Sequence, residues 1–435
     1  MAGGLNYRRQ QLAAKIVAEG TWDPTTIDAA NANILIFDAE MNPIIEMEER
    51  DPMRKTIGAK ASIPGARRMQ LTCAVELVPA EVASAEPPIG RLIEACGFKK
   101  TVRSGTAALG SVVPDPRNKG TANPAHLSVS DFTGSESGLY RFEVTGPGGG
   151  SGEVDVQISF YGRTGDPPGN RWNAPVTFVT DQSENVDGNR LVVEAEESFA
   201  DDAVVGDVFY VTATSADEES VEYRSTSANI PSLNLALLQD GRVKRMHSAQ
   251  GTFVLNANLG QVPRLEFTFE GILVEDGEIV DEALLSGIPF EDRVGRPFLG
   301  VTGSLFGESE PFLCYTELSV DLGNTLAPRP CATSSSGYKA VRVTQRRITG
   351  TINPEGALAT DFDPFNRLFT GGAANGLVVD TGDVRIEMPR LQITEVGTAE
   401  RESILVDAIS FLAPEPEQAV IADDYSELII TFPGA

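Results

Sequence analysis

Histidine and tryptophan are almost missing from this chain and cysteine is sparse: two, two and four residues among 435. With only His126 and His247, a zinc site would need long-range convergence, and a Ser-His-Asp triad would have to recruit one of the two from an ordinary setting. No G-x-S-x-G elbow occurs either. Cys73, Cys96, Cys314 and Cys331 never form a CxxC pair, so they read as reduced thiols rather than a disulfide framework or a redox couple. Trp22 and Trp172 are too few aromatic platforms for carbohydrate binding. No run approaches the roughly 18 apolar residues of a membrane span, and the opening MAGGLNYRRQQ lacks the apolar core of a signal peptide. Assembly in a cytoplasm is the expectation. Positive charge is also short: 35 Lys and Arg face 62 Asp and Glu, a net of −27. Phosphate neutralisation requires basic patches, so the charge argues against a dedicated nucleic-acid binder. It does not exclude a conduit that DNA slides past, because an acidic wall repels phosphate.

Glycine and proline are plentiful, at 42 and 27, and short Val/Ile/Thr/Phe runs lie between them. That pattern predicts short strands joined by tight turns, and the length predicts about two to three domains. From Leu127 to Ser232 the chain turns strongly acidic, with 19 Asp/Glu against 5 Lys/Arg, and this stretch reads as an inserted module. Within it Tyr140, Phe142 and Val144 share one face. GPGGGSG (146–152) then turns the chain, and Val154, Val156, Ile158 and Phe160 share a face again. The glycine run lacks the GK[ST] ending of a phosphate loop and sits between strands, so it reads as a hairpin turn. Further strands at Val176–Val179, Leu191–Glu194 and Val208–Val211 predict an Ig-like β-sandwich.

Outside the insertion, Leu12, Ile16 and Val17 at helical spacing predict a helix over Tyr7–Glu19, stopped by Gly20. A strand is predicted over Ile34–Phe37, a turn at Met41–Pro43, and a strand over Met69–Val78. Ile89–Cys96 reads as a short helix closed by Gly97. Strands follow at Gly251–Asn256 and Pro263–Leu273. The order of elements then begins again: a strand pair over Leu318–Leu326, a strand over Val341–Ile352, a helix over Asp363–Phe369 closed by Gly371, and strands at Val384–Met388, Leu391–Val396, Ile404–Phe411 and Leu428–Phe432. A tandem duplication is the expectation. Residues 46–60 hold little to bury, and Glu48, Glu49, Arg50, Asp51, Arg54 and Lys55 are the candidate contact residues of a loop that is either solvated or docked on another subunit. No catalytic, cofactor or metal constellation emerges.

The flanks resemble the tail tube (major tail) proteins of long-tailed bacteriophages. The resemblance rests on Gly20, Thr21 and Pro24, on Glu76 and Leu77, on PPIGRLIEACGF (87–98), on Gly251–Phe253 with Pro263–Gly271, on DLGN (321–324) and on TQRRITGTINPE (344–355). It implies a mainly β fold of tandem β-sandwich or barrel domains, each with a short helix. Residues 1–126 with 233–280 would form the first, 281–435 the second, and 127–232 an outward β-sandwich. It also implies a structural, non-enzymatic virion protein that forms rings, stacks them into a tube and lines the channel for DNA ejection. Three chains with pseudo-sixfold symmetry would complete a ring, a hexamer being the alternative. Partners would be further copies and the tape measure, tail tip and terminator proteins, with no cofactor and no membrane. In that frame Glu48, Glu49, Arg50, Asp51, Arg54 and Lys55 fall in the ring-stacking contact. An acidic cell-surface or adhesion-type β protein is the competing reading.

Overall fold

The computed structural model describes the chain from Arg8 to Pro433 apart from residues 50–60, 80–84, 105–106, 115–117, 121–122, 134–137, 147–152, 163–171, 180–181, 187–189, 197–198, 200–201, 215–218, 275–284, 286–294, 306–307, 310–313, 359–361, 372–373 and 415–426. Every ladder between its strands is antiparallel, as tight turns between short β-branched runs favour. The fold is mainly β, with two short α-helices among the described residues.

One unit is built from β1 (Gln10–Val17), β2 (Phe37–Glu48), β3 (Ile63–Glu76), β15 (Ser232–Gln239), β16 (Arg242–Asn258) and β17 (Arg264–Leu273). They lie side by side in the order β1-β15-β16-β17-β3-β2. A second unit comprises β18 (Thr302–Leu305), β20 (Glu317–Asp321), β23 (Thr349–Ile352), β24 (Ala374–Asp380), β25 (Arg385–Arg401) and β26 (Ile404–Leu412). Its order, β18-β24-β25-β26-β23-β20, repeats the first position by position. Helix α1 (Gly90–Ala95) lies between the third and fourth strands of the first unit, and α2 (Pro364–Thr370) occupies the same place in the second. The fifth strand of each, β16 and β25, has 17 residues. One cluster of buried side chains runs through both units, from Leu12, Leu71, Phe253 and Phe267 to Ile352, Ile393 and Phe411. In the first unit Phe267 stacks on Phe269 at 5.5 Å and meets Phe253 edge-on at 5.6 Å.

The inserted region has its own core, which includes Phe142, Val156, Ile158, Phe178, Val193 and Phe209. Its larger sheet orders β10 (Trp172–Val179), β9 (Glu153–Gly162), β8 (Gly138–Gly146) and β13 (Val208–Thr214), with β5 (Ala108–Leu109) and β6 (Val113–Pro114) both pairing to β13. The smaller orders β11 (Ser183–Val186), β12 (Leu191–Ala195) and β7 (Leu127–Ser130). The predicted alternation is realised: Phe142 faces Ile158 and Val144 faces Val156, all buried. This sheet recruits residues well before Leu127. On the other side β14 (Glu219–Ser225) leaves the module and pairs with β4 (Phe98–Ser104) and with the last strand, β27 (Ile429–Pro433). Glu222, one of the acids that made the insertion look uniform, is fully buried in this neck beside Arg103 and Arg224.

Six sequence expectations are corrected. Ile34–Phe37 is not one strand, since Ile34 makes only an isolated bridge to Leu12 and Phe37 opens β2, and the two strands expected at Val384–Met388 and Leu391–Val396 are one continuous strand, β25. Residues 10–17 form a strand, not a helix. Leu12 and Ile16 fit both periods, and pairing with β15, which is buried on both faces from Ser232 to Leu238, decides between them. Asn42 and Pro43 do not turn the chain but continue β2, whose outer side has no strand partner among the described residues and so tolerates a missing N–H. Leu318–Leu326 is not a hairpin. Gly323, at φ 61°, carries the chain from β20 to β21 (Thr325–Pro330), which pairs instead with β22 (Tyr338–Gln345). Residues 341–352 likewise split between β22 and β23 around Arg346. The short β19 (Glu308–Ser309) pairs with β18.

Candidate assembly surfaces

The two units meet edge to edge. The last turn-ward stretch of β16 pairs with β20 in the register Val254 to Asp321, Leu255 to Val320, Asn256 to Ser319 and Ala257 to Leu318, and Leu322 N–H extends the ladder to Phe253 O at 3.1 Å. Three side chains lock this joint. The buried Asn324 amide donates to the carbonyls of Cys96 (2.7 Å) and Gly251 (2.9 Å), so it reaches both the end of α1 and the middle of β16. Arg346 donates to Gly97 O and Thr226 O at 3.0 and 3.1 Å while its Nε meets Glu427 at 2.6 Å. Gln250 completes the contact: its amide N–H donates to Ile230 O and its carbonyl accepts from Val343 N–H. Asn324 and Arg346 belong to the DLGN and TQRR segments singled out in the sequence, which gave no hint that they fasten one unit to the other.

A second set of ties holds the N-terminal strand. Arg91 on α1 donates to Ala14 O (2.7 Å), Asn31 Oδ1 (3.0 Å) and Asn33 Oδ1 (2.6 Å). Lys15 Nζ lies 2.7 Å from Asp23, and that hydrogen bond, with those from Thr25, draws the Asp23 carboxyl down to about 2.

The expected stacking residues are only partly brought into view. Glu48 ends β2, Glu49 follows it, and both are exposed; Arg50, Asp51, Arg54 and Lys55 lie outside the described residues. The base of this hairpin is braced by β22 and the turn before it. Tyr338 donates to Glu46 at 2.6 Å, which raises the phenol's pKa, and Arg67 N–H bonds Ser336 O at 2.8 Å. Exposed apolar side chains flank it: Ile45, Met47 and Ile63. A comparable group lies on the second unit, where Ile404, Leu405 and Leu358 are exposed by the β25–β26 turn and Phe369 on α2 is 83% exposed. The first unit's helix is instead sealed, with Leu92, Ile93 and Ala95 fully buried.

Groups able to do chemistry are scattered. His126 contacts Glu196, and His247 Nδ1 sits 3.0 Å from the Ser248 hydroxyl. Burial pushes the Cys73 thiol up to about 12 and that of Cys96 well above the usual range, whereas Thr333 lowers that of the accessible Cys331. Among the described residues no three of His, Cys, Asp and Glu converge as a metal site would require, and no helix is long and apolar enough to cross a membrane.

Residues 8–432 match the family model described as phage tail tube protein. The chain belongs to that family. A search of curated proteins finds no match. Membership of the tail tube family makes this a structural protein of the virion tail, one that assembles with itself and with other tail proteins.

Proposed function

We propose that this chain is a wall subunit of the tail tube, that its copies close into rings, and that the rings stack into the channel through which DNA is ejected. The observation that carries this is the pair of equally ordered β units joined edge to edge within one member of the tail tube family. A ring closed by such joints has no free sheet edge left to aggregate. With two units per chain, three chains supply six units in a pseudo-sixfold ring; six chains would supply twelve. The first unit is then residues 8–104 with 219–274 and the second residues 295–433, with the module of residues 107–214 projecting outward. The body's acidic side chains line a lumen that repels phosphate. Tape measure, tail tip and terminator proteins are the further partners, and assembly takes place in the host cytoplasm.

Rings join through the β2–β3 hairpin end, a head-to-tail contact that propagates rather than closes. Replacing Glu48, Glu49, Arg50 and Arg54 together with Ser should leave soluble rings that do not polymerise. Electron microscopy of the purified protein tests both levels. Rings of three chains and stacked tubes are expected; monomers under every condition would overturn the proposal, and normal tubes from the four-residue variant would remove the hairpin from the stacking contact.

A further inference from the structure

Ring closure requires a surface on each side of the chain, and the internal joint identifies them. This step rests on the tube reading above. The last five positions of β16, Val254–Asn258, carry the joint; the last five of β25, of equal length and equal place, are Gly397–Arg401. Among the described residues these five pair only with β26, leaving their other edge without a strand. Thr398, Ala399 and Glu400 are exposed. On the opposite side of the chain, β2 is the counterpart of β20, and the match can be fixed residue by residue. Val320 lies opposite Gly350, which lies opposite Phe411; Met41 lies opposite Leu71, which lies opposite Phe269. Phe411 and Phe269 hold the same place in the sixth strands, since Gly397 faces Ala408 and Val254 faces Glu266. Met41 is therefore the positional equal of Val320, and both are fully buried.

We propose that the β25 edge of one copy pairs antiparallel with the β2 edge of a second copy of this chain, in the register Gly397 to Asn42, Thr398 to Met41 and Ala399 to Glu40. Pro43, which has no N–H to donate, ends the ladder at the place where the internal one reaches Leu322. In the single chain the Met41 carbonyl accepts from Lys244 Nζ at 2.6 Å, the kind of charged cap that sheet edges carry, and its second lone pair is open to a neighbouring N–H. The helices agree with this assignment. At the internal joint, residues of the second unit just beyond β20 reach the end of the first unit's helix, α1, through Asn324; the corresponding stretch beyond Met41 carries exposed Ile45 and Met47, and α2 offers exposed Phe365 and Phe369. A polar fastening within the chain is matched by an apolar one between chains.

Disulfide trapping tests the register. Leu322 N–H to Phe253 O makes that a hydrogen-bonded pair, so Asn256 and Ser319 are a close-spaced pair, and their side chains meet at 3.0 Å. In a background with Cys314 and Cys331 replaced by Ser, N256C with S319C is the intrachain control. E40C with A399C, and separately N42C with G397C, should on oxidation give covalent oligomers on a denaturing non-reducing gel. The single variants and E40C with E400C, which points to the other face, should not. Rings or tubes by electron microscopy together with an oxidised control but monomeric interchain pairs would overturn this joint and leave the tube reading standing. Absence of rings and tubes from the unsubstituted protein would overturn both.

Discussion

Asn324→Ala removes two hydrogen bonds at the joint between the units. The Asn324 side chain is buried, and its amide nitrogen serves the Cys96 and Gly251 carbonyls at 2.7 and 2.9 Å. Alanine leaves both acceptors without that donor, and a stranded buried carbonyl costs about 1–3 kcal/mol. Asn324 Oδ1 itself has no partner, so its removal returns about 1 kcal/mol. The net loss is about 1–5 kcal/mol, which for a chain of this size moves the urea midpoint down by on the order of 1 M. The assay is urea unfolding by far-UV circular dichroism, at a concentration where sedimentation shows monomer. Asn324→Asp sharpens the test, because a carboxylate would face two carbonyls and its pKa would rise in the folded state. Protonation then favours folding, so this variant should lose stability as pH climbs from the unfolded value of about 3.9 through the higher folded one, the reverse of an ion-paired aspartate. A midpoint for Asn324→Ala within about 0.2 M of the parent would refute the account of the joint.

Four further outcomes are expected. Phe142→Ala, in the module core, should cost about 3–5 kcal/mol and lower only the module's melting transition, since the two cores share no buried residues; calorimetry reads this. At pH 8 a thiol reagent should modify Cys314 and Cys331 in the folded protein and reach Cys73 and Cys96 only in urea, as mass spectrometry would show. The difference in stability between the parent and Asp23→Asn should be full above pH about 4 and vanish as pH falls through about 2, because the Asp23 carboxyl is held down by Lys15; denaturant melts across that range measure it. Gly251→Val should cost about 1–3 kcal/mol in the same melts, because a Cβ there would stand 2.4 Å from the Phe269 ring.

Local signals were readable where one period fitted and turn residues bounded it. The alternation of Tyr140, Phe142 and Val144 against Val154, Val156 and Ile158 is borne out by a buried sheet face, and both helices end at their predicted glycines, Gly97 at φ 93° and Gly371 at φ 63°. Sequence reasoning failed where local cues were degenerate or where distant partners decided. Leu12 and Ile16 satisfy strand and helix alike, and only β15 breaks the tie. Asn42-Pro43 punctuates the sequence without turning the chain, because an edge strand forgives proline. Average charge could not place the limits of the module, since Glu222 is acidic yet buried between arginines of the body. The joint itself was invisible: nothing near Asn324 or Arg346 names Cys96, Gly97 or Thr226, more than 100 residues away.

The neck has a mechanical meaning. Ser104 and Glu219 lie opposite each other where β4 and β14 leave for the module, so a tug on the module pulls along both strands at once. β14 is also laddered to β27 from Ser220 to Arg224, and β27 in turn to β25. Such a load shears the whole ladder together instead of peeling it bond by bond, which is the stronger arrangement. A load applied to the module therefore passes into the body through several strands at once.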